Sequence, residues 1–384
     1  MVKTFGAVTG ALFLLCGAPA ASAQIIVSAN DGKAVLVDGV NTVPRPTPPD
    51  TVTILDGSVL PPRVIGELRV PNSVVGPPQN VAIAPDGSIA LVASATQVDP
   101  ADASRTIPDD RVTVIDLKAS PVAVVATLRA GQGASGVAIN AAGTLALVAN
   151  RIEGTVSVFT ISGRTVTHQT KVDLGAPDSG PSQVAFTPDG RTALVTRNND
   201  SLISFLTVTG TTVAYAKRDI GAGFKPYGLE VTPDGRLAIV ANIGVGASGG
   251  NDTISVIDLS ATPARTVDHI TVGIIPEALA ISPDGRFVAV TVMNGSNQPK
   301  ASPWYQAQGR LRILRIENRT LLPVTETPIG QWCQGVAWTR DSRALLAQCV
   351  SERAIRAFRF DGRTLTAAGS VPVNGVPSGI RAGK

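Results

Sequence analysis

Few residues in this chain carry chemistry that could act on a small molecule, and they cluster in two kinds of short segment. One kind opens with Gln79-Asn80, Gln183, Lys225-Pro226-Tyr227, Glu277 and Gln334; the other ends in Asn150-Arg151, Arg197-Asn198, Asn242, Asn294 and Gln348. Glu277 is the one carboxylate of the first kind. A lone acid beside amides can serve as a general base, although a salt bridge to Lys225 or a nearby Arg is the expected state. Arg151, Arg197 and Lys225 fall in consecutive segments and could form one cationic sector. Such a sector would hold an anionic ligand or a carboxylate-bearing partner through charge-assisted bonds; the alternative is three separate solvent-facing charges. Asn150 and Asn242 suit hydrogen bonding to backbone in a turn or a neighbouring repeat. Gln79, Gln183, Tyr227, Trp304, Trp332 and Gln334 complete the candidate binding set, with Glu277 the candidate catalytic residue.

Other chemistry is absent or misplaced. His168 and His269 lie in segments expected on the outer surface. No His-Glu-x-x-His, Walker-type loop or haem-attachment sequence occurs. Cys333 and Cys349 flank the turn at Arg340-Asp341-Ser342 almost symmetrically. Antiparallel pairing would set them opposite each other, so a structural disulfide is expected, with two reduced thiols as the alternative. Neither spacing nor neighbours suggest metal ligation, and no metal site is expected.

These residues need elements to hold them. Asp86-Gly87, Ala142-Gly143, Asp189-Gly190, Asp234-Gly235 and Asp284-Gly285 align as turns, with Asp31-Gly32 and Asp341-Ser342 as weaker outer members, at spacings of 45 to 57 residues. Pro presets φ, Asp bonds its own backbone and Gly supplies positive φ, which is hairpin chemistry. Val-Ala-Ile runs precede the turns and Ala-Leu-Val runs follow them, lengths that suit strands. The period is that of a four-stranded propeller blade.

The fold expected is therefore all-β, a seven-bladed β-propeller of four-stranded antiparallel blades in one domain over 24–384. The blades fall at 24–70 plus 376–380, 77–128, 134–174, 181–220, 226–272, 276–329 and 334–373. The first blade lacks an inner strand, and Gly375-Val376-Pro377-Ser378-Gly379-Ile380 resembles the segment opening the other repeats. It should pair into the N-terminal blade and close the ring, which removes free sheet edges.

A meander fixes which loops share a face. The links from second to third strand, and from one blade to the next, lie opposite the Asp-Gly turns. Four of the former are long (39–49, 95–110, 243–251 and 294–308), all on that one face. Either function is built there or the face has drifted unconstrained. Aromatic residues are only 4% of the chain, yet Phe224, Tyr227, Trp304, Tyr305 and Trp332 fall in these segments. They could roof a pocket at the channel mouth or simply pack the insertions.

Composition sets the compartment. Lys3, the apolar run from Phe5 to Leu15 and Ala21-Ser22-Ala23 read as a cleavable secretory signal over residues 1–23, giving a periplasmic or secreted protein. No later apolar run approaches the roughly 18 residues of a membrane span. The net charge of +4 is dispersed, weak support for nucleic acid or a membrane surface.

The second strands end Leu147-Val148-Ala149-Asn150 and Ile239-Val240-Ala241-Asn242. With the Ser/Thr-Pro-Asp-Gly-Arg turns and Val-Ile-Asp-Leu third strands, the chain resembles the YVTN-repeat, lactonase-like seven-bladed propellers of bacteria across essentially all of 24–384. The first Tyr of that tetrapeptide is Leu or Ile here, and the Gly-His and Trp-Asp marks of WD40 repeats are missing. The resemblance is specific for fold and poor for function. It implies two further options at Glu277, a lactonase's acid or a calcium ion held with Asn residues; otherwise no cofactor is expected. The reading is an exported, monomeric, non-catalytic propeller binding a small molecule or protein partner at its insertion-bearing face. The alternative is a lactonase-like hydrolase acting on a small anionic or sugar-acid lactone, with nucleic-acid or cell-surface adhesion behind both.

Overall fold

Six of the seven expected turns join first to second strands. Asp31-Gly32 instead lies at the end of the second strand of blade 1, Ile25–Asp31, and opens its long link on the other face. Gly87, Gly143, Gly190, Gly235 and Gly285 have φ between 66° and 72°, open to glycine at no steric cost. Where Asp precedes the glycine it closes the loop on itself: Asp189 Oδ1 accepts from Thr187 Oγ1 at 2.6 Å and from the Arg191 N–H at 3.1 Å. Asp234 repeats this with Thr232 and Arg236. At the outermost member Ser342 takes the glycine's place at φ 59°.

The computed structural model describes residues 1–2, 24–246 and 250–383. All but the first two residues of the expected leader lie outside them. Seven four-stranded antiparallel sheets make up the fold, and among the described residues the one helical element is a 3-10 turn at Pro177–Ser179. Blade 4 is typical: Pro181–Phe186 innermost, then Thr192–Arg197, Leu202–Thr209 and Thr212–Gly221. Second strands such as Leu145–Asn150 and Leu237–Asn242 are buried at every residue. Neighbouring blades cover both of their faces, which is why they read as unbroken apolar runs.

The core is distributed between blades. Val184, Val195 and Leu206 of blade 4 pack on Leu147, Val156 and Val158 of blade 3. Ala337, Leu346 and Ile355 of blade 7 pack on Ile26, Leu55 and Ile380 of blade 1. That last contact exists because the chain's tail is the inner strand of blade 1. Val376–Ala382 pairs antiparallel with Ile25–Asp31, Val27 opposite Arg381 and Ser28 opposite Ile380.

Two features position side chains at the channel. Most inner strands slip register near their upper end, between Ala134/Val137, Pro181/Val184, Pro226/Leu229, Pro276/Ala278 and Cys333/Val336. Bulges of this kind re-aim the extra residues, here Ser182, Tyr227, Glu277 and Gln334 among them. The long links then cover that end. The first carries a hairpin, Val35–Val37 with Val40–Thr42, and the second another, Thr96–Val98 with Thr106–Pro108. The insertions touch: the Lys300 N–H donates to Asp38 Oδ1 at 2.9 Å, and Arg45 lies 3.5 Å from Asp102. Ala34 and Leu36 of the first hairpin join Val74, Ile275, Met293 and Trp332 in an apolar cluster that roofs the channel.

The Cys333–Cys349 disulfide is formed, its two cysteines directly opposite in the inner pair of blade 7.

Candidate functional site

Beneath the roof lies a cavity of about 300 Å³. Leu36, Gly39 and Asn41 close it from the hairpin, while Tyr227, Glu277 and Gln334 enter from the bulged inner strands. Trp332 and Asn297 form its side. Larger hollows exist elsewhere. A groove of about 680 Å³ runs along the turns of blades 6 and 7, and a funnel of about 540 Å³ opens at the opposite rim. The funnel is walled by Ile83, Ile139, Phe186 and Trp338, and its acid is spent: Glu230 accepts from the Ile281 N–H at 2.8 Å and from Arg381. Of these three hollows, the roofed cavity is the one that holds, among the described residues, a buried acid with no partner.

That acid is Glu277. Its side chain makes no hydrogen bond or ion pair with any described residue, so the expected bridge to Lys225 or a nearby Arg is not formed. Burial pushes its carboxyl up to about 8, against the opposing pull of the Arg151 charge. The guanidinium is not bonded to the carboxyl: Arg151 Nη1 donates to Ser182 Oγ, and the group lies over the Tyr227 ring, 5.4 Å from its centroid. The Tyr227 hydroxyl is pushed above its ordinary range by burial, with Arg151 opposing and Glu277 adding to the rise. Glu277, Tyr227 and Arg151 thus form one electrostatic unit, and at neutral pH the acid in it carries its proton.

Further polar atoms around the upper channel lack partners among the described residues: Trp332 Nε1, Gln334 Oε1, Asn297 Oδ1 and both side-chain polar atoms of Gln183. Leaving a buried polar atom unpaired costs about 1–3 kcal/mol each. Several in one place, three of them lining a cavity, mark a surface completed by something else.

The other candidates serve the scaffold. Arg197 does not join Arg151 in a cationic sector: it is buried against Asp200 and Asp219, the latter at 2.9 Å. Asn150 is consumed within blade 3, accepting from the Gly131 N–H at 3.0 Å and donating to Thr155 and Ser157. Asn242 does the same through Thr253 and Ser255. Gln79 spans the channel to Leu229. Trp304 is 44% exposed on the outside of the roof, as is Phe224 at 55%. Lys225 does not line the cavity. His168 packs on Phe159 and His269 on Ser255, both in fourth strands.

Calcium takes about 6–8 oxygen ligands, and the cavity wall offers fewer side-chain oxygens: one carboxyl, Glu277, with Asn41, Tyr227, Asn297 and Gln334. Three residues of the site escaped the sequence reading: Ser182, Asn297 and Gly76. Ser182 lay beside Gln183 in a segment recognised for its turn, and nothing set Asn297 apart within its insertion.

No protein-family model matches the chain, and no curated protein does. Solved structures do match in fold. A proposed 6-phosphogluconolactonase of Bacteroides uniformis superposes with a TM-score of 0.71 at 16% identity, over 94% of this chain and 99% of that one. The periplasmic gluconolactonase PpgL of Pseudomonas aeruginosa gives 0.66 at 17%, over 94% and 99%. Hydrazine synthase of Kuenenia stuttgartiensis gives 0.62 at 18%, over 82% and 91%. The chain has a lactonase-like seven-bladed propeller fold, and at these identities the likeness reaches no further than the fold. Proteins of different chemistry share it.

Proposed function

We propose that the chain is an exported propeller that binds a small oxygen-rich molecule, of lactone or sugar-acid class, in the roofed chamber of its upper channel. The observation that carries this is Glu277, a buried acid with no partner in a cavity of about 300 Å³. A carboxyl held neutral by burial weakens the fold, and such groups collect where ligands are handled. Its proton donates to a carbonyl or ring oxygen. Export is supported by the disulfide, since such bonds persist in oxidising compartments, and among the described residues no helix is long and apolar enough to cross a membrane.

A second reading, hydrolysis of the lactone, is favoured by the same residue and by the fold shared with named lactonases. Above the carboxyl's raised range Glu277 would take a proton from water as the oxygen adds to the lactone carbonyl. The ring C–O bond then breaks, and Glu277 returns the proton to the departing oxygen. Tyr227 and Arg151 set the field in which that proton moves. The test is titration of the purified chain with gluconolactone, followed for binding and for acid release across pH. Binding without turnover supports the first reading. Turnover that rises through pH about 8 and disappears in Glu277→Gln supports the second. No binding, with Glu277→Gln indistinguishable from wild type, overturns both.

A further inference from the structure

We infer that the chamber selects a neutral polyhydroxylated ligand, an unphosphorylated sugar-type lactone, and rejects its phosphorylated counterpart. This rests on the small-molecule reading above and narrows it. Two lactone classes are named among proteins of this fold, one phosphorylated and one not, and the chamber's own chemistry separates them.

Among the described residues, the cavity wall contains no Lys or Arg. Arg151, the cation Glu277 feels, donates to Ser182, lies over the Tyr227 ring and is not part of the wall. Arg197 is neutralised by two aspartates. A phosphate carries about −1.5 to −2 charge at neutral pH and, out of water, needs cationic partners or several convergent donors. It would here meet no cation in the wall, only neutral donors such as Trp332 Nε1 beside the acceptor oxygens Gln334 Oε1 and Asn297 Oδ1. A dehydrated, unpaired anion is strongly disfavoured. Hydroxyls suit the same wall, because each donates and accepts. Two donate to Gln334 and Asn297, and one accepts from Trp332. Gln334 and Trp332 are 1% and 8% exposed, so a ligand that pairs with them is largely withdrawn from bulk solvent.

The experiment is calorimetric titration of the full chain at pH 7 with freshly dissolved gluconolactone and 6-phosphogluconolactone. The expected result is an affinity at least about tenfold higher for the unphosphorylated lactone. Trp332→Phe, which keeps the ring and removes the N–H, should weaken that binding about fivefold, as the loss of one neutral hydrogen bond does. Asn297→Lys, at a half-buried position, should narrow or invert the ratio by supplying the missing cation. Equal or tighter binding of the phosphorylated lactone to the wild-type chain overturns the inference and leaves the small-molecule reading standing. If neither lactone binds, the reading falls and the inference with it.

Discussion

The side chain of Gln79 in blade 2 is hydrogen-bonded on both edges to the backbone of Leu229 in blade 5. Its Oε1 accepts from the Leu229 N–H at 3.1 Å, and its Nε2 donates to the Leu229 carbonyl at 3.3 Å. One amide thus spans the channel and pairs an inner strand that has no neighbour on that side. It separates the roofed chamber, with Glu277, from the apolar funnel at the opposite rim.

Gln79→Ala should therefore destabilise the protein by about 1–3 kcal/mol, the cost of a buried donor and acceptor left unpaired. The check is the midpoint of urea unfolding. An unchanged midpoint would mean that water replaces the amide and that the channel is open along its length.

Glu277 predicts an unusual pH dependence. Its folded value of about 8 lies above the ordinary 4.5, so the unfolded chain ionises first. Between those two pH values the folded state holds the extra proton, and stability falls as pH rises, by roughly 1.4 kcal/mol per pH unit from this group. Below the lower value and above the upper one the contribution is flat. Glu277→Gln should remove this slope, so the variant gains on the wild type steadily from pH 4.5 to about 8. Parallel stability curves for the two proteins would show that the carboxyl is ionised in the native state.

Arg197 is expected to matter for folding and not for the chamber. It is 6% exposed and bonds Asp200, Asp219 and Ser204, while Asp219 also accepts from Tyr215 at 2.8 Å. Arg197→Ala strands two carboxylates, a loss of about 3–5 kcal/mol where the partner is deeply buried and somewhat less here, since both aspartates are partly exposed. Thermal unfolding should shift down while the affinity for gluconolactone, measured on the folded fraction, stays the same. A lost affinity at unchanged stability would return Arg197 to the binding surface.

The ring was legible because its signals are local and repeated. Asp-Gly turns, unbroken apolar second strands and the tail's likeness to other inner strands each state a backbone requirement. The disulfide was legible for the same reason, since Cys333 and Cys349 sit at mirrored distances from one turn. The site was legible only in part. Glu277, Tyr227 and Gln334 could be placed at inner-strand starts, but their convergence depends on register slips that no residue pattern announces. Arg197 could not be told from Arg151, because the aspartates that capture it, Asp200 and Asp219, come from a turn and an outer strand whose approach is tertiary. Asn297 belongs to an insertion with no periodicity to read.

The roof offers a test that needs no ligand. Gly39 has φ 82°, and a Cβ built there would lie 2.4 Å from Pro299 of the sixth blade's insertion. Gly39→Ala thus meets both backbone strain and a collision, with the 2.9 Å bond from Lys300 to Asp38 next to it. The hairpin has exposed Val37 and Val40 on its outer side and only Ala34 and Leu36 in the cluster below. It can lift without unravelling a blade, so little of the strain, typically about 1–3 kcal/mol, should reach global stability. Trp332 would then be uncovered. In a Trp304→Phe background, which removes the exposed indole, acrylamide should quench the remaining fluorescence more strongly after Gly39→Ala, while Trp338, buried in the opposite funnel wall, contributes a constant signal. If quenching is unchanged and stability falls by the full strain, the hairpin is part of the core rather than a cover over the chamber.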